Sequence, residues 1–280
     1  VNSRAKLEFR LNFMIVRGEN EKRIFIDEIN TLIVQSTAVS LTAALLSELI
    51  RSGVKVIFCD EKFNPCSELI PYYGAHNTSK RYKIQMQWRD ETKDEIWRLI
   101  IAQKITNQKN YLQKRGFVAE AELIGSYIPD ILPGDTTNRE GHSAKVYFNC
   151  LMPCGVSRRD GGFLNGCLNY AVLLSCFNRE IVASGYLTQF GIWHDNEFNQ
   201  FNLSSDLMEP FRTIVDEVAF SLPEGDKEFK RKMADILNFQ ISIDGKTTTL
   251  DLAVRTYVRS VLNALEASDP SLIIFPSYEL

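Results

Sequence analysis

The chain has 280 residues, 45% of them hydrophobic and 24% charged, a composition typical of a globular protein with room for about two domains. No apolar run approaches the roughly 20 residues that span a bilayer, and no signal peptide opens the sequence, so we expect a cytoplasmic protein without a membrane segment. The net charge of −3, from 32 basic and 35 acidic residues, excludes a uniformly cationic nucleic-acid binder, and six cysteines without Cys-x-x-Cys spacing favour free thiols over a structural zinc site.

The first quarter of the sequence has the pattern of short β-strands, with alternating or β-branched residues broken by turn-forming residues. The predicted elements are strands at 13–17, 22–27, 31–35 and 54–58 and one helix at 40–52. We therefore predict an N-terminal β-rich domain over residues 1–70. Pro71-Tyr72-Tyr73-Gly74 punctuates the chain where this pattern ends, which predicts a linker over residues 71–77.

Beyond the linker, apolar residues recur with the spacing of helices. The predicted helices are 79–88, 90–114, 120–127, 138–151, 168–186, 206–220, 227–237 and 250–266, with a hairpin at 241–248. The predicted fold class is α+β, in which the β-rich domain with its single helix precedes a larger all-α domain over residues 78–280.

Three groups of basic residues could supply the local cationic face that DNA binding would need, although each alone also fits a solvated surface. They are Lys104, Lys109, Lys114 and Arg115; Arg158 and Arg159; and Lys227, Lys230, Arg231 and Lys232. The Arg158-Arg159 pair lies in a Gly-rich stretch, 153–166, that the pattern predicts as an exposed loop.

The stretch from Gly191 to Arg212 concentrates groups that could bind a metal ion. It places His194 in a polar loop and then Asp206 and Glu209 three residues apart. In a helix over 206–220 these carboxylates would be neighbours on one face. An imidazole with carboxylates forms a mixed nitrogen and oxygen site suited to a divalent cation.

Helix capping explains the same spacing without a metal. Asp206 with Glu209, and Thr137 with Glu140, both fit the pattern of an N-cap followed by an acid three residues later. Glu140 also lies on the packed side of its predicted helix, where a carboxylate should be capped, paired or metal-bound. Spacing alone leaves both interpretations open.

Several stretches resemble the CRISPR spacer-acquisition integrase, CRISPR-associated protein one, in particular its type II-A form. They are residues 56–60 (VIFCD), 100–105 (IIAQKI), 138–149 (NREGHSAKVYFN), 188–191 (TQFG), 198–202 (FNQFN) and 206–212 (DLMEPFR). These stretches occur in family order and cover nearly the whole chain. Relatives have a short strand and an initiator Met before the position of Val1, so the resemblance implies a trimmed N-terminus.

The resemblance implies a metal-dependent integrase with an N-terminal β domain for dimerisation and a helical catalytic domain. Its Mg²⁺ or Mn²⁺ ligands fall by motif on Glu140, His194 and Glu209, and Asp206 takes a supporting role. The implied reaction joins the 3′-hydroxyl of a short DNA fragment to a phosphate at the edge of a CRISPR repeat. His142, Arg158 and Arg159 are candidate DNA contacts, each equally compatible with a structural or exposed role.

The implied partners are the DNA fragment, the leader-repeat target and CRISPR-associated protein two, whose dimer bridges two homodimers of this chain into a complex of four catalytic and two bridging subunits. Two alternatives remain from the sequence. One is a metal-dependent nuclease in which water replaces the 3′-hydroxyl. The other is a non-catalytic DNA-binding scaffold whose carboxylates are only helix caps.

Overall fold

The computed structural model describes residues 1–61, 65–72, 75, 77–152, 170–221, 232 and 235–278. The chain divides into two compact units, Val1–Tyr72 and Tyr73–Leu280, and the division falls inside the segment predicted as a linker. The first unit is β-rich with one α-helix, and helices are the main elements in the described part of the second, which confirms the predicted α+β class. None of the helices in the described part of the chain is both long and apolar enough to cross a bilayer.

Two small sheets and one helix make up the first unit. The strands are β1 Ala5–Arg10, β2 Phe13–Arg17, β3 Glu21–Phe25, β4 Thr31–Val34, β5 Val39–Leu41, β6 Lys55–Cys59 and β7 Pro65–Glu68, and the helix is α1 Ala43–Arg51. One sheet has the order β3-β2-β1-β5 and the other β4-β6-β7. The sequence pattern finds β2, β3, β4 and β6 within one or two residues, but it misses β1, β5 and β7.

Helix α1 connects these sheets through its apolar face. Thr42 caps the helix by accepting a hydrogen bond from the Leu45 amide, and Gly53, with φ of 71°, lets the chain turn after the helix ends. Leu45 and Leu49 are fully buried against Leu7 of β1 and its neighbours. The unit therefore has a hydrophobic core of its own.

Helices dominate the second unit. They are α2 Thr78–Gln85, α3 Asp90–Lys114, α4 Val118–Gly125, α5 Arg139–Leu151, α6 Ala171–Ala183, α7 Asn202–Leu207, α8 Arg212–Ser221 and α9 Leu250–Ala267. The predicted hairpin forms as β8 Gln240–Ile243 and β9 Lys246–Thr249, paired in antiparallel fashion. The helix α3 was predicted over the same residues, and its stripe from Ile96 to Ile105 lies in the core of the unit.

The predicted helix over 206–220 is wrong. The chain instead forms α7, then a single 3₁₀ turn at Glu209–Phe211, and then α8. Pro210 accounts for the break, because proline has no amide hydrogen to donate and its ring clashes with the preceding helical turn. The prediction for 227–237 falls mostly outside the described residues, apart from a 3₁₀ turn at Asp235–Asn238.

Candidate active site

A cavity of about 260 Å³ in the second unit is surrounded by acidic and aromatic side chains. Its lining residues are Trp97, Asp135, Thr136, Asn138, Glu140, Trp193, His194 and Glu209. The structure thus brings together the three side chains predicted as metal ligands, which come from α5, from the loop after α6 and from the turn after α7. Their roles remain predictions.

Glu140 is held at this cavity by the caps of helix α5. The Asn138 side chain accepts a hydrogen bond from the Gly141 amide, and the buried Asp135 carboxylate accepts the amides of Arg139 and Glu140 at 2.8 and 2.9 Å. The predicted Thr137-Glu140 capping pair is wrong, because the Thr137 hydroxyl donates to the Asp130 carbonyl instead. Glu140 is therefore free of a capping role.

Asp135→Asn should lower the free energy of unfolding by about 2 kcal/mol, because the amide keeps one acceptor oxygen and turns an NH₂ group toward a buried backbone N–H. Urea denaturation measures this change. Asp130→Asn is the matched control: Asp130 is exposed and makes only a long surface ion pair with Arg139, so its effect should stay within about 0.5 kcal/mol. Equal losses in both variants would contradict the assignment of Asp135 as the cap.

Asp206 organises the loop that carries His194. Its Oδ2 atom accepts the amides of Ile192 and Trp193 at 2.6 and 3.0 Å, and its Oδ1 atom accepts the amide of His194 at 3.1 Å. Oδ1 also lies 2.5 Å from Nδ1 of the His194 ring. Asp206 lies inside α7, is fully buried and accepts amides of the preceding loop instead of those of a following helical turn, so the predicted N-cap role is wrong.

The pKa values of this pair respond to both burial and contact. The hydrogen bond that the His194 ring donates to Asp206 raises the pKa of His194, against the opposing effect of burial. Burial raises the pKa of Asp206, while His194 and the loop amides act against that rise. With Nδ1 held by Asp206, the imidazole presents Nε2 as its remaining ligand nitrogen, which is the arrangement that carboxylate-supported metal-binding histidines use.

Gly191 allows the loop to pass this close to Asp206. A Cβ atom at this position would lie 2.3 Å from the His194 carbonyl oxygen and 2.6 Å from Asp206 Oδ2. Side chains do not fit at such distances, so the loop geometry requires glycine. The His194 ring also packs edge-on against the Trp97 ring, with ring centroids 5.9 Å apart.

Glu209 is a buried carboxylate surrounded by cations. Its Oε1 atom lies 2.8 Å from the guanidinium of Arg212, which also stacks over the ring of Tyr170. Burial alone would raise the pKa of Glu209, but Arg212 and Lys104 together outweigh burial and hold that pKa at about 2. Glu209 is therefore ionised at neutral pH.

Lys104 connects the two predicted carboxylate ligands. Its ammonium group lies against Glu140 and is 2.5 Å from Oε2 of Glu209, while its side chain is only 7% exposed. The expectation that Lys104 contributes to a solvated basic face is wrong. A lysine so deeply buried is found only with anionic partners, which here are the two candidate ligands.

In this arrangement no three His, Cys, Asp or Glu side chains within the described ranges converge closely enough to hold an ion. The Lys104 ammonium lies between Glu140 and Glu209. The donor set nevertheless fits a divalent cation: Oε2 of Glu209 is buried and makes no hydrogen bond of good geometry, even to Lys104. Two carboxylates and an imidazole suit Mn²⁺ and Mg²⁺.

Of the predicted DNA contacts, His142 does not line this cavity. His142 is exposed on α5, where its ring lies edge-on to Tyr127 with centroids 6.5 Å apart. Arg158 and Arg159 lie outside the described residues. Sequence reasoning missed the cavity roles of Asp135, Asn138 and Trp193, although Trp193 immediately precedes the predicted ligand His194.

The chain is similar in sequence to known proteins. A family model described as CRISPR associated protein Cas1 matches residues 1–235. A CRISPR-associated endonuclease Cas1 from Neisseria meningitidis serogroup C is 28% identical over 295 residues, covering 100% of this chain and 97% of that protein. A protein of the same name from Korarchaeum cryptofilum is 23% identical and covers 95% and 94% of the two chains.

Solved structures share the fold. A casposase bound to integration product superposes with a TM-score of 0.77 at 19% identity, over 95% of this chain and 89% of that one. A chain of a Cas6-RT-Cas1–Cas2 complex gives 0.73 at 18% identity, and this chain spans about a third (35%) of its length. Because the family model covers most of the sequence, the chain belongs to the Cas1 family of CRISPR-associated proteins.

Proposed function

We propose that this protein is the integrase of CRISPR adaptation, which inserts short DNA fragments at the leader-repeat junction of a CRISPR array. The 3′-oxygen of the fragment attacks a phosphorus atom of the target strand, and the bond from that phosphorus to the adjacent strand end breaks. One phosphodiester bond replaces another, so the reaction needs neither water nor a covalent enzyme intermediate. The observation that carries the proposal is the convergence of Glu140, His194 and Glu209 on one cavity.

These three residues would hold one Mg²⁺ or Mn²⁺ ion, through two carboxylates and Nε2 of the imidazole. The ion, when bound, withdraws charge from the phosphate and makes the attacking hydroxyl more acidic. Asp206 keeps the His194 ring oriented, and Arg212 keeps Glu209 ionised in its buried position. The caps of α5 fix the backbone of Glu140 beside the cavity.

A spacer has two ends to insert, so two active sites at a fixed separation are needed. We infer two homodimers, each formed by two subunits that contact through the β-rich domain. A dimer of Cas2 bridges the two homodimers. Two of the similar solved structures are chains of Cas6-RT-Cas1–Cas2 complexes, which supports Cas2 as the partner. The type II-A assignment and the cytoplasmic location stay with the proposal as predictions from the sequence.

Hydrolysis by the same site is the second candidate. It is favoured by the relatives, whose name describes an endonuclease. In that reaction water takes the place of the 3′-hydroxyl, and the residues that bind the phosphate are unchanged. The two activities therefore differ in the nucleophile that reaches the site and not in the site itself.

An integration assay tests the proposal. Purified protein with its Cas2 partner is given a fragment with free 3′-hydroxyls, a leader-repeat target, and Mn²⁺ or Mg²⁺. Wild type should give joined product, while Glu140→Ala and His194→Ala should lose at least roughly 1,000-fold in rate, the equivalent of several kcal/mol of transition-state stabilisation. Glu95→Gln removes a partly exposed carboxylate that pairs with Arg98 on α3 and does not line the cavity, and this variant should join at the wild-type rate.

Each other outcome selects a different function. Cleavage without joining, with Cas2 present, would favour the nuclease. Processing that is unchanged in both variants would mean that the predicted ligands are not catalytic, as in a DNA-binding scaffold.

A further inference from the structure

Trp193 is a partly exposed indole at the centre of the candidate active site. The side chain lines the cavity with Glu140, His194 and Glu209, yet 47% of its surface is exposed. Large aromatic side chains contribute most when they are buried, so a tryptophan left open beside charged groups is a candidate binding surface. The sequence pattern around Trp193 predicted no role for it.

The indole is held rigidly in this position. It stacks on the buried Trp97 with the two ring planes 7° apart and centroids at 5.8 Å, an offset parallel arrangement. The Trp193 amide is fixed by Asp206. A Cβ atom on Gly134 would lie 3.3 Å from the indole carbon Cζ3, so the backbone there passes close to the edge of the ring. Because the two rings are offset, Trp97 covers only part of the indole, and 47% of the Trp193 side chain stays exposed.

A nucleobase is the ligand that this surface fits. Aromatic side chains bind single-stranded nucleic acid by stacking on bases, with little preference for sequence. The cavity, at about 260 Å³, is smaller than the roughly 300–1,000 Å³ of pockets that enclose whole drug-sized ligands, which is compatible with one nucleotide at a strand end. Because Trp193 and His194 are consecutive, a base stacked on the indole would bring its own sugar near the candidate metal ligands.

We propose that Trp193 is a stacking platform for the base of the nucleotide that carries the reacting 3′-hydroxyl. The proposal rests on the proposed integrase function and names how that site holds its nucleophile. Stacking on a flat indole accepts any of the four bases, which suits an enzyme whose fragments vary in sequence. Trp193 is in this sense a binding residue that positions the strand end.

Joining kinetics with an abasic end test the platform. Fragments whose last nucleotide keeps its 3′-hydroxyl but lacks its base are compared with normal fragments. In the wild type, removing the base should raise KM by roughly 5- to 150-fold, the range expected for losing one stacked base. In Trp193→Leu, normal and abasic fragments should give the same KM, and Trp193→Phe should restore part of the difference. If Trp193→Leu keeps the full wild-type penalty for the abasic end, the proposal is wrong.

The control variant is Phe198→Leu. Phe198 is 87% exposed in the same loop, but it does not line the cavity, so its variant should keep the wild-type dependence on the terminal base. Thermal melting of Trp193→Leu must show a folded protein before its kinetics are compared. Loss of the base dependence in Phe198→Leu as well would indicate a general disturbance of the loop and overturn the specific role of Trp193.

A binding measurement separates this proposal from the integrase proposal. Trp88 and Trp97 are buried, so Trp193 is the exposed member of the three tryptophans in the chain. A single strand with a 3′-deoxy end, which cannot be joined, should quench tryptophan emission in the wild type and not in Trp193→Phe. Quenching without joining in any assay would support the platform while removing the integrase function. Absence of quenching at saturating strand would reject the platform, whatever the joining assay shows.

Discussion

Asp206→Asn should lower the rate of strand joining by roughly 100-fold, with a comparable loss of Mn²⁺ affinity, because partners that orient a metal-binding histidine typically contribute 10- to 100-fold. Asp206 is expected to touch no substrate. Its effect comes from the four contacts that it accepts from Ile192, Trp193 and His194. The variant therefore tests whether the buried carboxylate sets the geometry of the His194 loop.

The reason for this loss is that aspartate has two acceptor oxygens and asparagine has one. Asparagine can accept hydrogen bonds at only one of the two positions, and its NH₂ group at the other faces donors. If Oδ1 becomes NH₂, it meets the His194 amide and the ring nitrogen; if Oδ2 does, it meets the amides of Ile192 and Trp193. Each donor left unpaired in this buried site costs about 1–3 kcal/mol. We therefore expect the loop to move.

Asp195→Asn provides the matched control. It makes the same chemical change one residue beyond His194, at an exposed position. Joining rates and Mn²⁺ titrations of both variants should separate cleanly, with Asp195→Asn close to wild type. A wild-type rate in Asp206→Asn would mean that the loop does not depend on this carboxylate.

Periodicity predicted those elements whose own sequence decides which face is buried. Helix α3 occupies the predicted residues because its apolar stripe, from Ile96 to Ile105, needs a core on one side along its whole length. Strand β2 likewise matches at both ends. Strand β5 was missed, since three residues carry too little pattern, and β7 begins with Pro65 and is fixed by its pairing with β6.

In the candidate site, the sequence spacing of the carboxylates does not predict their contacts. Asp206 and Glu209 look like a capping pair because they are three residues apart, but Pro210 ends the regular helix and Asp206 accepts hydrogen bonds from residues that precede it by 12 to 14 positions. Such contacts depend on how the loop closes over α7. Resemblance located the carboxylates and the imidazole, and only the folded chain relates them to Asp206.

Lys104 was visible in the sequence but could not be interpreted from it. Its place on the apolar stripe of α3 already implied burial, and a buried ammonium implies an anionic partner. The partners are Glu140 and Glu209, which lie far along the chain, so no local pattern identifies them. The same lysine counted in isolation looks like part of a basic surface.

Lys104→Met should destabilise the metal-free protein by roughly 3 kcal/mol, since removing one partner of a buried ion pair leaves the opposite charge uncompensated. Met has nearly the length of the lysine stem and no charge, so packing changes little. The two carboxylates would then face one cavity with only Arg212 beside Glu209. Thermal melting in the presence of EDTA measures the loss, with Lys114→Met as the control: Lys114 lies on the same helix, pairs with Glu217 and is half-exposed.

The same variant should gain more stability from Mn²⁺ than the wild type does. In the wild type a divalent cation must displace the ammonium that already neutralises Glu140 and Glu209, whereas in Lys104→Met the two carboxylates have no such competitor. A ligand that binds only the folded state raises stability in proportion to the logarithm of its concentration over Kd, so the tighter site shows the larger shift. Equal Mn²⁺ shifts in wild type, Lys104→Met and Lys114→Met would show that ammonium and cation do not compete, and that the ion binds elsewhere than between these two carboxylates.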